Sequence, residues 1–258
     1  MITDPVDISY ASAACADGPV DLMATLWRAG AEERPSDLLV WLHSGGFRTG
    51  SRNHPSHDAF ARIFNRFGIS FAAIDYRRRR ARPVLAKSTQ DLLPDLIHEA
   101  REAGEEMPPR FFGAEAMAPL EDCVSFLQYA SANPESSGLG KGGRIFLGGS
   151  SVGGITALNT LYLPRHLGLE RPDIAAVVAL SGGFAYTPRL SRTDARILAL
   201  HGDLDNRVPI SSIRRLHRTT PDPMQLLTHP DIGHGSPTLN ADERPRDGVR
   251  RLAQFLTD

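Results

Sequence analysis

The sequence predicts an α/β fold: a doubly wound, mostly parallel sheet with helices on both faces. Three observations carry that expectation. Continuous apolar runs of strand length recur along the chain, helical apolar patterns alternate with them, and a Gly-x-Ser-x-Gly sequence joins one such run to the helix after it. Strands buried on both faces of a parallel sheet read as unbroken apolar runs, because neither face meets water. Strand and helix in strict alternation imply right-handed crossovers within one sheet.

The elements run in chain order. Ile8 to Tyr10 and Leu22 to Arg28 read as weaker leading strands, antiparallel in the sheet. Leu38 to Leu42, Ile69 to Ile74, Arg144 to Leu147, Ile174 to Leu180, Ile197 to Leu200 and Met224 to Leu227 are the continuous runs. Phe60, Ile63, Phe64 and Phe67 recur at helical spacing, with Pro55 near the start and Gly68 just past the end. Leu120, Cys123, Val124 and Leu127 repeat that spacing after Pro119. Ile155 to Leu163 and Val249 to Leu256 give two more helices. About forty residues separate Asp75 from Pro119, more than a crossover needs. Leu92, Leu93, Leu96, Ile97 and Ala100 place an amphipathic helix among them, and Met107 to Phe112 reads as a loop with large apolar groups. Residues 77–117 are therefore expected to form an insertion, either a cap over a site or a decorated surface loop.

The chain has 258 residues, a length that one α/β domain can use entirely, so residues 1–258 are read as a single domain. A formal net charge of −1 gives no global electrostatic case for nucleic acid. The first residues, Met1 to Asp7, have neither the basic region nor the apolar core of a secretory signal, and no apolar run approaches membrane-spanning length. Cys15 and Cys123 offer no disulfide framework and no metal-ligand spacing. A cytoplasmic location is the expectation. The sequence carries no signal of oligomeric state. Arg77-Arg78-Arg79-Arg80 with Arg82 is the only charge run, either a solvated loop or the flank of a site that favours an anion.

The chemistry concentrates at Gly148-Gly149-Ser150-Ser151-Val152-Gly153-Gly154. Between strand and helix this is the pattern of a nucleophile elbow, which needs small residues two before and two after the serine. Ser151 has Gly149 and Gly153 there, whereas Ser150 would place Val152 at the crowded position. Ile155 stands where a phosphate-binding loop needs lysine, and Ser151 where a dinucleotide loop needs its second glycine.

A serine hydroxyl needs a general base, and the base an orienting carboxylate. Downstream of Ser151, the run ending at Leu200 leads into His201-Gly202-Asp203-Leu204-Asp205-Asn206-Arg207-Val208-Pro209, where Asp203 and Asp205 compete for the acid. The run ending at Leu227 leads to Gly233-His234-Gly235, an open loop that suits a mobile imidazole, with His229 as the rival base. An oxyanion hole would take Val152 N–H, directly after the serine, and a second donor from His43-Ser44-Gly45-Gly46-Phe47, where Gly45 and Gly46 let the backbone approach a substrate. Phe47, Phe184 and Tyr186 come after strand ends; position alone suits them equally to a substrate pocket or to the core.

These stretches, with Ala73-Ile74-Asp75-Tyr76-Arg77, make the sequence resemble an α/β-hydrolase of the esterase/lipase type, near its hormone-sensitive-lipase-like and small acyl-esterase branches. The resemblance covers about residues 38 to 235. It implies the α/β-hydrolase fold and a triad of Ser151, Asp205 and His234, and so favours Asp205 over Asp203. It also implies oxyanion donors at Gly45, Gly46 and Val152, and a small-molecule ester as substrate. Asp75 and Tyr76 match a position that braces the sheet edge. No metal and no cofactor is expected. Ser44 replaces the first glycine of the family's His-Gly-Gly-Gly loop, and the arginine run replaces its usual Leu-Ala-Pro. The same triad serves amidases, formamidases and small peptidases. A silent binding protein on this scaffold would not require serine, acid, base and oxyanion loop together.

Overall fold

The computed structural model describes residues 4–30 and 36–258. In chain order they form β1 (Val6–Ala13), β2 (Val20–Trp27), β3 (Asp37–Leu42), α1 (His57–Asn65), β4 (Ile69–Ile74), α2 (Lys87–Glu102), α3 (Ala114–Ala132) and the short α4 (Pro134–Ser137). Next come β5 (Ile145–Ser150), α5 (Val152–Tyr162), β6 (Ala176–Leu180), β7 (Arg196–Gly202), α6 (Ile210–Thr219), β8 (Met224–His229) and α7 (Pro245–Thr257). All eight strands join one sheet in the order β1-β2-β4-β3-β5-β6-β7-β8. β1 pairs antiparallel with β2, and β2 with β4; the remaining pairs are parallel. The expected doubly wound sheet and its antiparallel leading strands are both present.

The apolar runs divide by the period of two that a strand imposes. Leu38, Val40 and Leu42 of β3 enter one core with Leu147, Val177 and Ala179, while Leu39 and Trp41 enter the other with Phe146, Val178 and Leu180. The first core is roofed by α3 and α5 through Leu120, Cys123, Leu127, Ile155 and Leu158. The second is covered by α1 and α7 through Ala61, Phe64, Val249, Leu252 and Leu256. Helices thus lie on both faces, and each run is unbroken because each of its faces is buried.

Parallel pairing brings the strand ends level. Leu42 pairs with Gly149, Ser150 with Leu180, Leu180 with Leu200, and Gly202 with His229. The loops leaving β3, β5, β7 and β8 therefore meet along one carboxyl edge, where open α/β sheets bind ligands.

In the long segment after β4 the arginine run divides. Arg77, first of the arginine run, turns inward and is buried. Its Nε donates to Asp122 at 2.8 Å, its backbone N–H donates to the same carboxylate at 2.6 Å, and Nη2 reaches Glu121 at 2.9 Å. Nη1 donates to the carbonyls of Ala14 and Val84. One side chain thus ties the end of β4 to α3 and to the segment after β1. α2 docks by Glu99 on Arg189. The turn at Pro109–Phe111 reaches the cavity at the carboxyl edge, Arg78 and Arg79 bond to Gly50 O and Phe47 O of the loop after β3, and Ala114 to Met117 already belong to α3. That helix starts five residues before Pro119 and runs through it; the proline forfeits one hydrogen bond, which the full burial of the flanking Met117 and Leu120 offsets.

The buried Arg77 pairs predict an unequal pair of variants. Arg77→Met leaves the Asp122 charge buried without its partner and should cost about 3–5 kcal/mol. Arg79→Gln removes an exposed pair with Glu115 and should cost less than about 1 kcal/mol. Urea unfolding of both proteins measures the difference, and equal losses would contradict this account of the segment.

Candidate active site

Ser151 occupies the turn between β5 and α5 at φ 58°, ψ −123°, a region that non-glycine residues rarely adopt. Two flanking bonds hold it there: its N–H donates to Leu180 O at 2.7 Å, and its carbonyl accepts from Ile155 N–H at 3.0 Å. The glycines around it are required by close approach. A Cβ on Gly153 would lie 2.0 Å from Leu42 O, one on Gly149 2.4 Å from the Gly153 carbonyl carbon, and one on Gly148 2.8 Å from Val178. Strand, turn and helix pass within backbone contact of β3, which is the crowding that the sequence register anticipates.

His234 and Asp205 meet across the edge. His234 Nδ1 lies 2.7 Å from Asp205 Oδ2. A carboxylate oxygen only accepts, so Nδ1 carries a proton, and in the neutral ring the lone pair is then on Nε2. Asp205 is enclosed, and its other donors are the N–H groups of Arg207 and Val208 at 2.9 and 3.1 Å and His201 Nε2 at 3.2 Å. Burial by itself would raise the Asp205 pKa. Hydrogen bonds from His201 and His234 and the two backbone N–H groups outweigh it and hold the carboxyl well below its usual range. Its contribution to stability is therefore complete above the ordinary carboxylate pKa of about 4 and is lost as pH falls below it. Asp203, the rival acid, is paired with Arg214 at the surface. His229, the rival base, is buried at the end of β8.

The two loops close on each other by backbone contacts. Asp203 N–H donates to His229 O, and Leu204 N–H to Ile232 O. A Cβ on Gly202 would lie 2.0 Å from Ile232 O, so only glycine lets the histidine loop cross there. Gly235 N–H donates to Ser181 Oγ at 2.8 Å.

The loop after β3 turns tightly. Gly45 and Gly46 take φ 124° and 63°, and the Gly45 carbonyl accepts from the N–H groups of Arg48 and Thr49. Tyr76 steadies this loop: its O–H donates to His43 O at 2.7 Å and its ring stacks on His43 with centroids 4.0 Å apart. Val152 opens α5, and its N–H is one of the four that a helix leaves without an internal partner.

An open cavity of about 680 Å³ joins these loops, lined by Ser44, Gly45, Gly46, Ser151 and His234 among others. Phe47, Phe184 and Tyr186, candidate substrate contacts that position suits equally to the core, are not on its wall. All three are fully buried in the core. Phe184 packs against Tyr162 and Tyr186, and the Tyr186 hydroxyl is already bonded to Phe112 O. The wall also includes Phe111, Arg48 and Arg110, none of which stands in a motif that marks a site, and Arg207, which lies in the acid-bearing stretch but takes no role from its position there. His201 beside Asp205 and the bonding of Tyr76 to His43 O lie within the quoted stretches, but their contacts are set by the fold and not by spacing.

No protein-family model and no curated protein sequence matches this chain. Solved structures do. Thermogutta terrifontis esterase 2, phosphorylated by paraoxon, superposes with a TM-score of 0.68 at 16% identity, over 98% of this chain and 93% of that one. A Pyrobaculum calidifontis esterase gives 0.64 at 18%, over 100% and 85%. A dienelactone hydrolase from Anabaena variabilis gives 0.59 at 17%, over 99% and 96%. Likeness of this extent, with the sheet order and elbow described above, establishes that the chain has the α/β-hydrolase fold.

Proposed function

We propose that this protein is a serine esterase that cleaves a small or medium carboxylic ester through an acyl-enzyme intermediate, with Ser151, His234 and Asp205 as its triad. The observation that carries the proposal is the 2.7 Å His234–Asp205 contact in the same edge as an elbow serine, both Ser151 and His234 lining one cavity. His234 Nε2 takes the Ser151 proton as Oγ bonds to the ester carbonyl carbon. The carbonyl electron pair moves onto oxygen, where the N–H groups of Gly45, Gly46 and Val152 stabilise it. Collapse expels the alcohol, which receives the proton from His234. Water then gives its proton to His234 as it bonds to the acyl carbon; collapse breaks the bond to Ser151 Oγ, which takes that proton back from His234 as the acid leaves. Asp205 fixes the His234 tautomer and stabilises the imidazolium. His201 in turn orients Asp205: its Nε2–H is shared between Asp205 Oδ2 and Val208 O.

Ester hydrolysis is supported over amide hydrolysis by the neighbours, two of which are esterases, one of them also solved with propionate and with butyrate bound. Those ligands favour short acyl groups as the first substrates to try. Among the described residues no helix is long and apolar enough to cross a membrane.

Two outcomes test the reading. Ser151→Ala should lower kcat on short-chain nitrophenyl esters by on the order of 10⁴-fold or more, with its unfolding midpoint preserved. Undiminished turnover would remove Ser151 from the chemistry. Asp205→Asn should lose about 10³- to 10⁴-fold, mainly in kcat, because the His234 tautomer is no longer fixed. A loss confined to KM would assign Asp205 to binding instead.

A further inference from the structure

The cavity wall carries an arrangement of charge that ester hydrolysis alone does not need. Arg48 comes from the loop after β3, Arg110 from the turn before α3, and Arg207 from the loop after β7, so three different loops each send one arginine to the same wall. No aspartate or glutamate lines it among the described residues. Elsewhere Arg52, Arg77, Arg79, Arg82, Arg144 and Arg189 each hold a carboxylate. Among the described residues Arg48, Arg110 and Arg207 hold none. The chain as a whole is close to neutral, with 29 basic and 30 acidic residues, so this concentration comes from placement rather than composition.

Arg110 is also pre-set. Its guanidinium lies 4.5 Å from the centroid of the Phe111 ring, and that ring is itself buried and packed edge-on against Phe47. A stacked guanidinium has less freedom to lose when it binds. The Asp205 side chain is fully enclosed and is not on the wall, so a bound anion meets the three arginines without touching this carboxylate.

We propose that the preferred substrates are esters that also carry an anionic group, carboxylate or phosphate, and that Arg48, Arg110 and Arg207 recognise it. The planar fork of a guanidinium matches either anion in a two-pronged fashion. Three forks around one cavity raise the local concentration of an anionic ester and hold it over Ser151, with Phe111 supplying the apolar contact. The proposal rests on the reading of Ser151 as nucleophile.

The test compares 4-nitrophenyl hydrogen adipate with 4-nitrophenyl hexanoate, which has the same chain length and no charge. Wild type should show kcat/KM at least about tenfold higher for the adipate, and rising ionic strength should erode that ratio. Each single Arg→Gln variant should lower the ratio several-fold, and the triple Arg48→Gln, Arg110→Gln, Arg207→Gln protein should bring it to about one. Equal turnover of the two esters by wild type, or an unchanged ratio in the triple variant, would overturn the proposal. Binding is read separately by calorimetry on Ser151→Ala with adipate and with inorganic phosphate, the tighter of the two naming the anion. If neither ester is turned over, the esterase reading falls and the anionic-ester proposal falls with it, whereas saturable binding that the triple arginine substitution abolishes would still demonstrate the anion site alone. Absence of binding by either anion overturns the proposal while leaving hexanoate hydrolysis, and so the esterase reading, untouched.

Discussion

The site depends on one steric constraint, the contact between the start of α5 and the end of β3. Leu42 O lies where a Cβ of residue 153 would be, at 2.0 Å. With glycine at 149 and 153 the helix can start directly against the sheet, and Ser151 is forced to the apex of the turn at a positive φ. Such a conformation costs on the order of 1–3 kcal/mol and persists only where its surroundings over-determine it. Here they do: β5 is hydrogen-bonded on both sides within the sheet, α5 is buried along its whole length, and the Ser151 N–H is tied to Leu180. The strain is held by a rigid core, and its result is a serine placed at the sheet edge, on the cavity wall.

The other parts of the site are arranged by the same edge. Parallel register sets the ends of β3, β5, β7 and β8 level, so short loops suffice to bring Gly45, Ser151, Asp205 and His234 together. Each loop then has its own restraint. Tyr76 holds the loop after β3, four donors hold Asp205, and Ser181 with the Gly202 crossing holds the histidine loop. Asp205 links electrostatics to geometry: a buried carboxylate is tolerated only when its lone pairs are filled, and the groups that fill them are those that orient His234.

Much of this was legible in the sequence because it rests on local rules. Two-faced burial writes unbroken apolar runs, helices write their period, and the elbow writes its glycines at fixed offsets from Ser151. Between Asp203 and Asp205 spacing does not decide; in the fold Asp205 turns back under its loop to His234 while Asp203 faces Arg214. The features that were not legible depend on partners far away in the chain. Arg77 reads as one of a run of exposed arginines until Asp122 is placed beside it. Phe47, Phe184 and Tyr186 come after strand ends, a position shared by core and pocket residues, and only packing assigns them to the core. Arg48, Arg110 and Arg207 lie on separate loops with no common pattern, and only the fold collects them on one wall.

The central claim is that Ser151 is an activated nucleophile in this edge. Intact mass and peptide mapping after treatment with a fluorophosphonate test it most directly, because the reagent reports the reactive hydroxyl whatever the natural ester is. The account predicts one adduct per chain, carried by the peptide containing Ser151 and lost in His234→Ala. Labelling at Ser150 or another residue, or no adduct on folded protein, would contradict it.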